Sequence, residues 1–377
     1  MMGTKLVAKC WRRLRVQLVL SGYYGFHNIG DEAILQSIIK SLKKEIPNIE
    51  LVVMSNDPDY TREMYDVEAV NRWDIKAVYE VIKKSDGLIS GGGSLLQDQT
   101  SMKSILYYTG VLGFARLLKK PYYIYSQGIG PIRKRHNRLL VKWQLSKAVY
   151  ISVRDEDSFF YLKELGVKKD IELVPDPVLT WKQEKQSDWL QKHSLHGKII
   201  AVSVRYWGTN EDYIKKLAIA LKKLKQEGYQ ILFVPMHSPF DQNASREVAD
   251  LMDEEIYMLP DKMDIDEKIS ILSKCSLLIG MRLHALIFSV VAKTPMVGIS
   301  YDPKIDSFSR QVKQPVIGSV DGDWSAEDLY KIAKKQMTQQ DNIQHALQRT
   351  IDELQLQGEQ ATKKLVQHIE KNTLLKK

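Results

Sequence analysis

Leu277-Leu278-Ile279-Gly280-Met281-Arg282-Leu283-His284-Ala285-Leu286 is the stretch that decides the fold. Residues 277–279 form an apolar run short enough for a buried strand, and Gly280 ends it. Leu286, Ile287, Phe288, Val290 and Val291 then supply the apolar side of a following helix. Arg282 and His284 stand where strand becomes helix. In an open α/β sheet, ligands bind in the crevice outside the carboxyl ends of the strands, and a helix N-terminus there offers N–H groups to an anion. An isolated Arg-x-His is as readily a surface ion pair and a helix cap. The neighbouring stretches therefore decide what these two residues do.

Outward from this point the chain alternates. The spacing predicts strand 16–20, helix 31–44, strand 50–54, helix 75–84, strand 87–90, helix 105–118, strand 122–125, helix 137–146, strand 149–153 and helix 156–165. A short strand at 171–174 leads into Pro175-Asp176-Pro177, and the polar residues 182–198 have little periodic apolar character. A second series begins at 199–204. It continues with helix 212–226, strand 231–235, a helix near 244–252, strand 255–258, helix 266–273, the stretch quoted above and strand 296–299. Such alternation predicts doubly wound parallel sheets. From Ser325 the pattern is purely helical, opened by Ser325-x-x-Asp328 in the manner of a capping box. The expected organisation is a basic extension 1–15, a first α/β domain 16–181, a linker 182–198, a second α/β domain 199–324 and C-terminal helices 325–377.

Composition agrees with two domains in 377 residues: 44% hydrophobic and 27% charged residues are ordinary for a globular protein. The formal charge is +9, but Lys5, Lys9, Arg12, Arg13 and Arg15 crowd the acid-free first fifteen residues; without those five the rest carries +4, too little to argue for nucleic acid. Cys10 and Cys275 alone exclude a disulfide framework or a cysteine-rich zinc site and suit a reducing compartment, so a cytoplasmic setting is expected. No apolar run of about 18 residues occurs, and the leader lacks the apolar centre of a secretory signal. Residues 1–15 are expected either to lie on an anionic lipid surface, as basic residues beside Trp11 suit a headgroup interface, or to be a disordered or non-native upstream extension.

Three glycine-bearing loops follow strands of the first series: Gly22-Tyr23-Tyr24-Gly25-Phe26-His27-Asn28-Ile29-Gly30-Asp31, Ser90-Gly91-Gly92-Gly93-Ser94-Leu95-Leu96-Gln97-Asp98, and Ser126-Gln127-Gly128-Ile129-Gly130-Pro131-Ile132. The first has neither the dinucleotide G-x-G-x-x-G spacing nor the Gly-Lys-Ser/Thr ending of a nucleotide-phosphate loop, so a nicotinamide enzyme or an ATPase is not expected. Glycines in such numbers suit a backbone that a ligand touches, and three loops on one rim predict a site. Asp31 is either a helix cap or a functional carboxylate. Arginines stand just past strands in Ser152-Val153-Arg154-Asp155 and Ser203-Val204-Arg205-Tyr206-Trp207, and Lys304 follows the strand after the central helix. Arg154, Arg205, Arg282 and Lys304 around His284 suit a small polyanion, because the arginine fork matches carboxylate and phosphate. No metal or cofactor is expected: His193-x-x-His196 falls in the polar stretch, Asp155-x-Asp157 reads as acids opening a helix, and Asp321-x-Asp323 as a turn.

At these residues the sequence resembles the polysaccharide pyruvyl transferases, and within them the bacterial, S-layer-anchoring branch that places a pyruvate ketal on cell-wall polysaccharide. The resemblance runs from about Val16 to about Ser309, through the three glycine loops, residues 152–158, 175–179, 201–207, 281–286 and 301–304. It implies two Rossmann-like domains facing a cleft, a GT-B-like fold, with phosphoenolpyruvate as donor on the C-terminal side. A sugar residue of a surface glycan, carried on a lipid in one form, is the acceptor on the N-terminal side. By it, Arg154, His284 and Lys304 match donor-handling positions and Arg282 accompanies His284, while residues 1–15 and the last helices fall outside.

Ketal formation requires protonating the methylene of phosphoenolpyruvate, adding a sugar hydroxyl to the cationic carbon, expelling phosphate and closing with a second hydroxyl. His284 is expected as the acid, Arg154, Arg205, Arg282 and Lys304 as the cationic cradle, and Asp31 or Asp98 as a base. Asn28, Asp31, Gly92, Gly93, Asp98 and Gln127 are expected on the acceptor. Two other readings are a glycosyltransferase of the same architecture using a nucleotide-sugar donor, and a non-catalytic binder of anionic glycan.

Overall fold

The computed structural model of the protein describes residues 16–98, 102–208 and 212–374, so the basic extension 1–15 lies outside the described residues. The chain divides into two units. The first comprises the residues up to His27, Asp31–Thr180 and the chain from Gln355 onward; the second comprises Asn28–Gly30 and Trp181–Leu354.

In the first unit β1 (Val16–Tyr24), β2 (Ile49–Ser55), β3 (Glu68–Asn71), β4 (Gly87–Gly91), β5 (Ser94–Leu96), β6 (Tyr122–Ile129), β7 (Tyr150–Val153) and β8 (Glu172–Leu173) form one sheet, ordered β3-β2-β1-β4-β6-β7-β8 with β5 beside β6. Every pairing is parallel. A parallel strand buried on both faces needs no polar alternation, and β4 and β6 are buried along their whole length. Helices Ile29–Glu45, Pro58–Tyr65, Ile75–Lys84, Met102–Leu117, Arg135–Leu145 and Glu156–Glu164 make the crossovers. Val78, Ile82, Ile105, Leu112, Val141 and Leu162 bring their apolar faces onto Val19, Leu88, Ile124 and Ile151 of the sheet.

The second unit repeats the plan. Its strands β9 (Ile199–Ser203), β10 (Gln230–Phe233), β11 (Tyr257–Met258), β12 (Leu277–Gly280), β13 (Met296–Ser300) and β14 (Val316–Ser319) run parallel in the order β11-β10-β9-β12-β13-β14. Ile200, Val202, Ile279 and Val297 pack against Leu217, Leu221 and Val248. In each sheet the winding reverses once, between β1 and β4 and between β9 and β12. Each unit thus has one crevice at its carboxyl edge.

Ser325 and Asp328 form the expected capping box, and the helix Ala326–Thr338 that they open joins the second core through Leu329 and Ala333. The last helix, Gln340–Leu374, is 35 residues long and belongs to the second unit up to Leu354 and to the first from Gln355. There Thr362 Oγ1 meets Tyr125 Oη at 2.8 Å and Lys364 pairs with Glu172 at 3.2 Å. The polar stretch after Trp181 is fastened to the second unit: Trp181 Nε1 donates to Asp266 (2.6 Å), Ser187 N to Ser270 Oγ (2.9 Å), and Leu190 and Leu195 are buried.

Elements that periodicity did not announce are short. Helix Pro58–Tyr65 is set by Asp57, whose carboxylate accepts from Tyr60 N, and by Pro58 in its first turn. Strands β3, β5 and β14 have three or four residues each, too few for a period to show. Among the described residues no helix is long and apolar enough to cross a membrane.

Candidate active site

In the second unit the expected cations come from three strand ends. Beyond β9, Arg205 lies over the rings of Trp207 (5.1 Å to the centroid) and Tyr301 (4.9 Å), and its Nη1 donates to Tyr301 Oη at 3.2 Å. Beyond β13, Lys304 Nζ stands 5.5 Å from the Tyr301 ring and 3.2 Å from Asp302 Oδ2. Asp302 also caps helix Pro303–Gln311 by accepting from Lys304 N. Tyr301 therefore gathers Arg205 and Lys304 into one cationic group, a role that its sequence position did not reveal.

Arg282 takes a different partner. It stands at the N-cap of helix Leu283–Val291, and its guanidinium closes on Asp241, Nε lying 2.9 and 3.2 Å from the two carboxylate oxygens. Asp241 is fully buried and accepts also from Met236 N and His237 N, both at 3.0 Å. A buried carboxylate is tolerated only when paired and hydrogen-bonded, and Arg282 supplies the pair. The fork expected to hold donor is thus engaged by Asp241, fixing the turn after β10 against the strand end that presents His284. His284 is half-buried in the first turn of its helix. Gly30, grouped with this unit, lies against it: a methyl there would run into the imidazole. Ile29 N donates to Met236 O at 3.0 Å, and Asn28 Oδ1 accepts from Gly30 N at 3.1 Å.

In the first unit, Tyr24 Oη donates to Gly91 O (2.6 Å) and ties the ends of β1 and β4 together. The glycines there have packing reasons. The place of a Cβ on Gly92, whose φ is +65°, is filled by Ile34, so this glycine lets helix Ile29–Glu45 approach the loop and does not bare backbone to a ligand. Gly93 is buried as well, its φ is +67°, and Asp31 Oδ1 lies 3.1 Å from where its Cβ would be. Gln127 is fully buried and donates to Ser90 Oγ at 3.3 Å.

Asp98 serves as a staple. Its carboxylate accepts from Arg133 N (2.7 Å), Lys134 N (3.1 Å) and Asn137 Nδ2 (3.0 Å), closing the start of helix Arg135–Leu145. Partial burial opposes its charge, yet those N–H donors hold its carboxyl below its ordinary value, which makes it a poor base. Of the two carboxylates expected as a base, Asp31 remains the candidate. Arg154 is buried, with Nη1 on Asp176 (2.8 Å) and Nη2 on Ser94 Oγ (3.1 Å), so it binds two loops to the end of β7.

Two features of this rim were missed in the sequence. Glu32 is buried, accepting from Gly25 N (2.8 Å) and Tyr65 Oη (2.7 Å), and burial pushes its carboxyl up to about 7. The second is an aromatic platform beyond β3. Arg72 is buried, donating to Gly22 O (2.8 Å) and Tyr108 Oη (3.2 Å), with the rings of Tyr107, Phe26 and Trp73 4.4, 5.1 and 5.2 Å away. Trp73 is 58% exposed, yet its indole N–H is fixed on Asn56 Oδ1 at 2.8 Å. Among the described residues no three His, Cys, Asp or Glu side chains gather in a way that would hold a metal ion.

A profile of the family described as polysaccharide pyruvyl transferase matches residues 28–303. The amylovoran biosynthesis protein AmsJ of Erwinia amylovora is 24% identical over 267 residues, 63% of this chain and 62% of that protein, so the chain spans less than two-thirds of its length. Solved structures share the fold. A glycosyltransferase from Rickettsia africae has a TM-score of 0.64 at 13% identity (95% of this chain, 98% of that one). A UDP-N-acetylglucosamine 2-epimerase from Rickettsia bellii has 0.63 at 16% (96% and 97%). HepE from Anabaena, solved with UDP and glucose, has 0.62 at 9% (94% and 100%). The fold is GT-B-like: two Rossmann-like units with C-terminal helices.

Two stability measurements follow. Asp241→Asn leaves Arg282 short of its counter-charge and is expected to cost about 3 kcal/mol in urea unfolding; a loss within a few tenths would show that the pair does not order this turn. Folded Glu32 holds its proton more tightly than the unfolded chain does. Its contribution is therefore complete below about pH 4.5 and fades as pH rises to about 7, a span worth about 3 kcal/mol. Glu32→Gln should flatten stability across that window, and an unchanged slope would assign it to another group.

Proposed function

On the premise that the chain belongs to the polysaccharide pyruvyl transferase family, we propose that it moves pyruvate from phosphoenolpyruvate onto a sugar residue of a cell-wall polysaccharide precursor as a ketal, releasing phosphate. The observation that carries this reading is the cationic group around Tyr301, at the same carboxyl edge as His284. A donor with a carboxylate and a phosphate on one carbon needs two cationic contacts and one acid, all within a small molecule's reach.

In the proposed mechanism Arg205 and Lys304 meet those two anionic groups, and the N–H groups opening helix Leu283–Val291 add a favourable field. His284 delivers its proton to the methylene carbon. The carbon bearing the phosphate becomes cationic, a sugar hydroxyl adds to it, phosphate leaves with the C–O bond electrons, and a second hydroxyl closes the ketal. Asp31 removes the hydroxyl protons. Arg282 acts by positioning, since its fork is engaged by Asp241, and Arg154 likewise holds Ser94 and Asp176 in place. The acceptor stacks on Trp73: a sugar ring presents C–H groups to an aromatic face, and the bond to Asn56 holds that face at little entropic cost. The acceptor is lipid-linked and the reaction cytoplasmic in this reading, and neither metal nor organic cofactor enters it.

Arg205→Ala and Lys304→Ala should each weaken phosphoenolpyruvate dependence roughly tenfold to a hundredfold, the worth of one charge-assisted contact, while thermal unfolding is unchanged. Phosphoenolpyruvate should raise the thermal midpoint and UDP-sugars should not; protection by a nucleotide sugar alone would favour a glycosyltransferase.

His284→Gln is expected to stop phosphate release while phosphoenolpyruvate still raises the thermal midpoint, and undiminished release would leave His284 a hydrogen-bonding role. Trp73→Ala should raise the acceptor KM roughly tenfold and leave the donor KM alone. A changed donor KM would move Trp73 off the acceptor.

A further inference from the structure

After Asp98 no acidic residue occurs until Asp155, and eleven lysines and arginines fall between them. The modest charge beyond residue 15 is therefore an average of one strongly basic stretch and an acidic remainder. Two neighbouring helices of that stretch present outward faces. Helix Arg135–Leu145 buries Asn137, Val141, Gln144 and Leu145, and on the opposite side it leaves Leu139 (62%) and Trp143 (51%) exposed between Arg135, Arg138 and Lys142. Helix Met102–Leu117 exposes Leu106 (56%), Gly110 and Leu117 (70%), which the helical repeat places on one stripe with no charge between them. A Cβ on Gly110 would meet nothing within 4 Å.

The two faces adjoin. Gln144 Nε2 donates to Thr109 O at 3.0 Å, and the Arg116 guanidinium lies 3.6 Å from the centre of the Trp143 ring. Four large apolar side chains thus stand out among exposed Lys119, Arg133, Lys134, Arg135 and Lys147. Two nearby acids, Glu164 and Asp98, are occupied. Glu164 pairs with Arg138 at 2.9 Å, and Asp98 turns its oxygens onto backbone N–H groups.

Exposed leucines beside a tryptophan, set among cations, match a surface that is anionic outside and apolar a few ångströms further in. A second copy of the same face would bring like charges together and is disfavoured. We propose that these two helices dock the protein on an anionic bilayer, Leu117, Leu139 and Trp143 entering the headgroup boundary and the lysines and arginines meeting lipid phosphates. The docking face is distinct from residues 1–15 and independent of the pyruvyl-transfer reading.

The test is co-sedimentation of the full chain with vesicles of phosphatidylcholine alone and of phosphatidylcholine mixed with phosphatidylglycerol. Binding is expected to the mixed vesicles only and to fall with added salt. Leu117→Glu with Leu139→Glu, and separately Arg133→Gln with Arg135→Gln, should each lower partition tenfold or more, with circular dichroism and thermal midpoint unchanged. Each basic residue at such a surface is worth about fivefold. Residues 1–15 remain in every variant, so variants that partition like the parent would place membrane contact elsewhere and overturn the proposal. Absence of parental binding, equal binding to phosphatidylcholine alone, or a concentration-dependent dimer abolished by the same substitutions would overturn it as well.

Discussion

A parallel strand pair can be joined only by a crossover, and crossovers in one sheet share one hand. For helices to cover both faces, the winding must therefore reverse once, and at the reversal two neighbouring strand ends send their chains to opposite sides. Each unit has one such opening, between β1 and β4 and between β9 and β12. The candidate residues follow from this constraint: Gly93 and Asp31 flank one opening, and Arg205, Arg282 and His284 leave the strands that border the other. No long-range attraction is needed to bring them together, because chain winding has already done so.

The same constraint explains what could be read from the sequence. Strands buried on both faces are continuous apolar runs, and crossover helices carry wide apolar stripes, so helices Ile75–Lys84 and Asp212–Gln226 agree with their sequence periods at both ends. Edge strands such as β3 and β14 lack such runs because they have a neighbour on one side only. At the site, residue type and position past a strand were legible, and Arg205 with Lys304 came out as one group. Partners were not. That Arg282 would close on Asp241, forty-one positions away, and that Asp98 would staple a helix start depend on tertiary neighbours that no local pattern encodes. Ile34 filling the place of a side chain on Gly92 is a third case: a glycine required by packing looks, in sequence, like a glycine required by a ligand.

Electrostatic reading shows a related limit. A formal charge summed over the chain hides its distribution, because acids and bases are segregated along the sequence. Local density of charge, weighed with the exposure of Leu117, Leu139 and Trp143, carries information that the sum removes. Glu32 shows the converse. Its carboxyl is displaced from its ordinary value by burial beneath a glycine loop, with opposing help from Tyr65 and Gly25, and sequence proximity to Asp31 gave no sign of that.

The first unit is discontinuous. Its sheet is complete by β8, but the helical segment from Gln355 that meets it arrives only after the whole second unit, and Tyr125 waits for a partner 237 positions later. A ribosome emits the chain from its N-terminus, so the second unit can close on itself while the first still lacks a piece. During synthesis the earlier-made half is thus the later-finished one. Until the final turns emerge, Tyr125 and the floor around Thr180 and Pro175 lack the cover that Thr362 and Gly358 later bring. The helical segment from Gln355 consequently acts as a completion signal for the first unit, and a nascent chain cut short before it would be defective far from the cut.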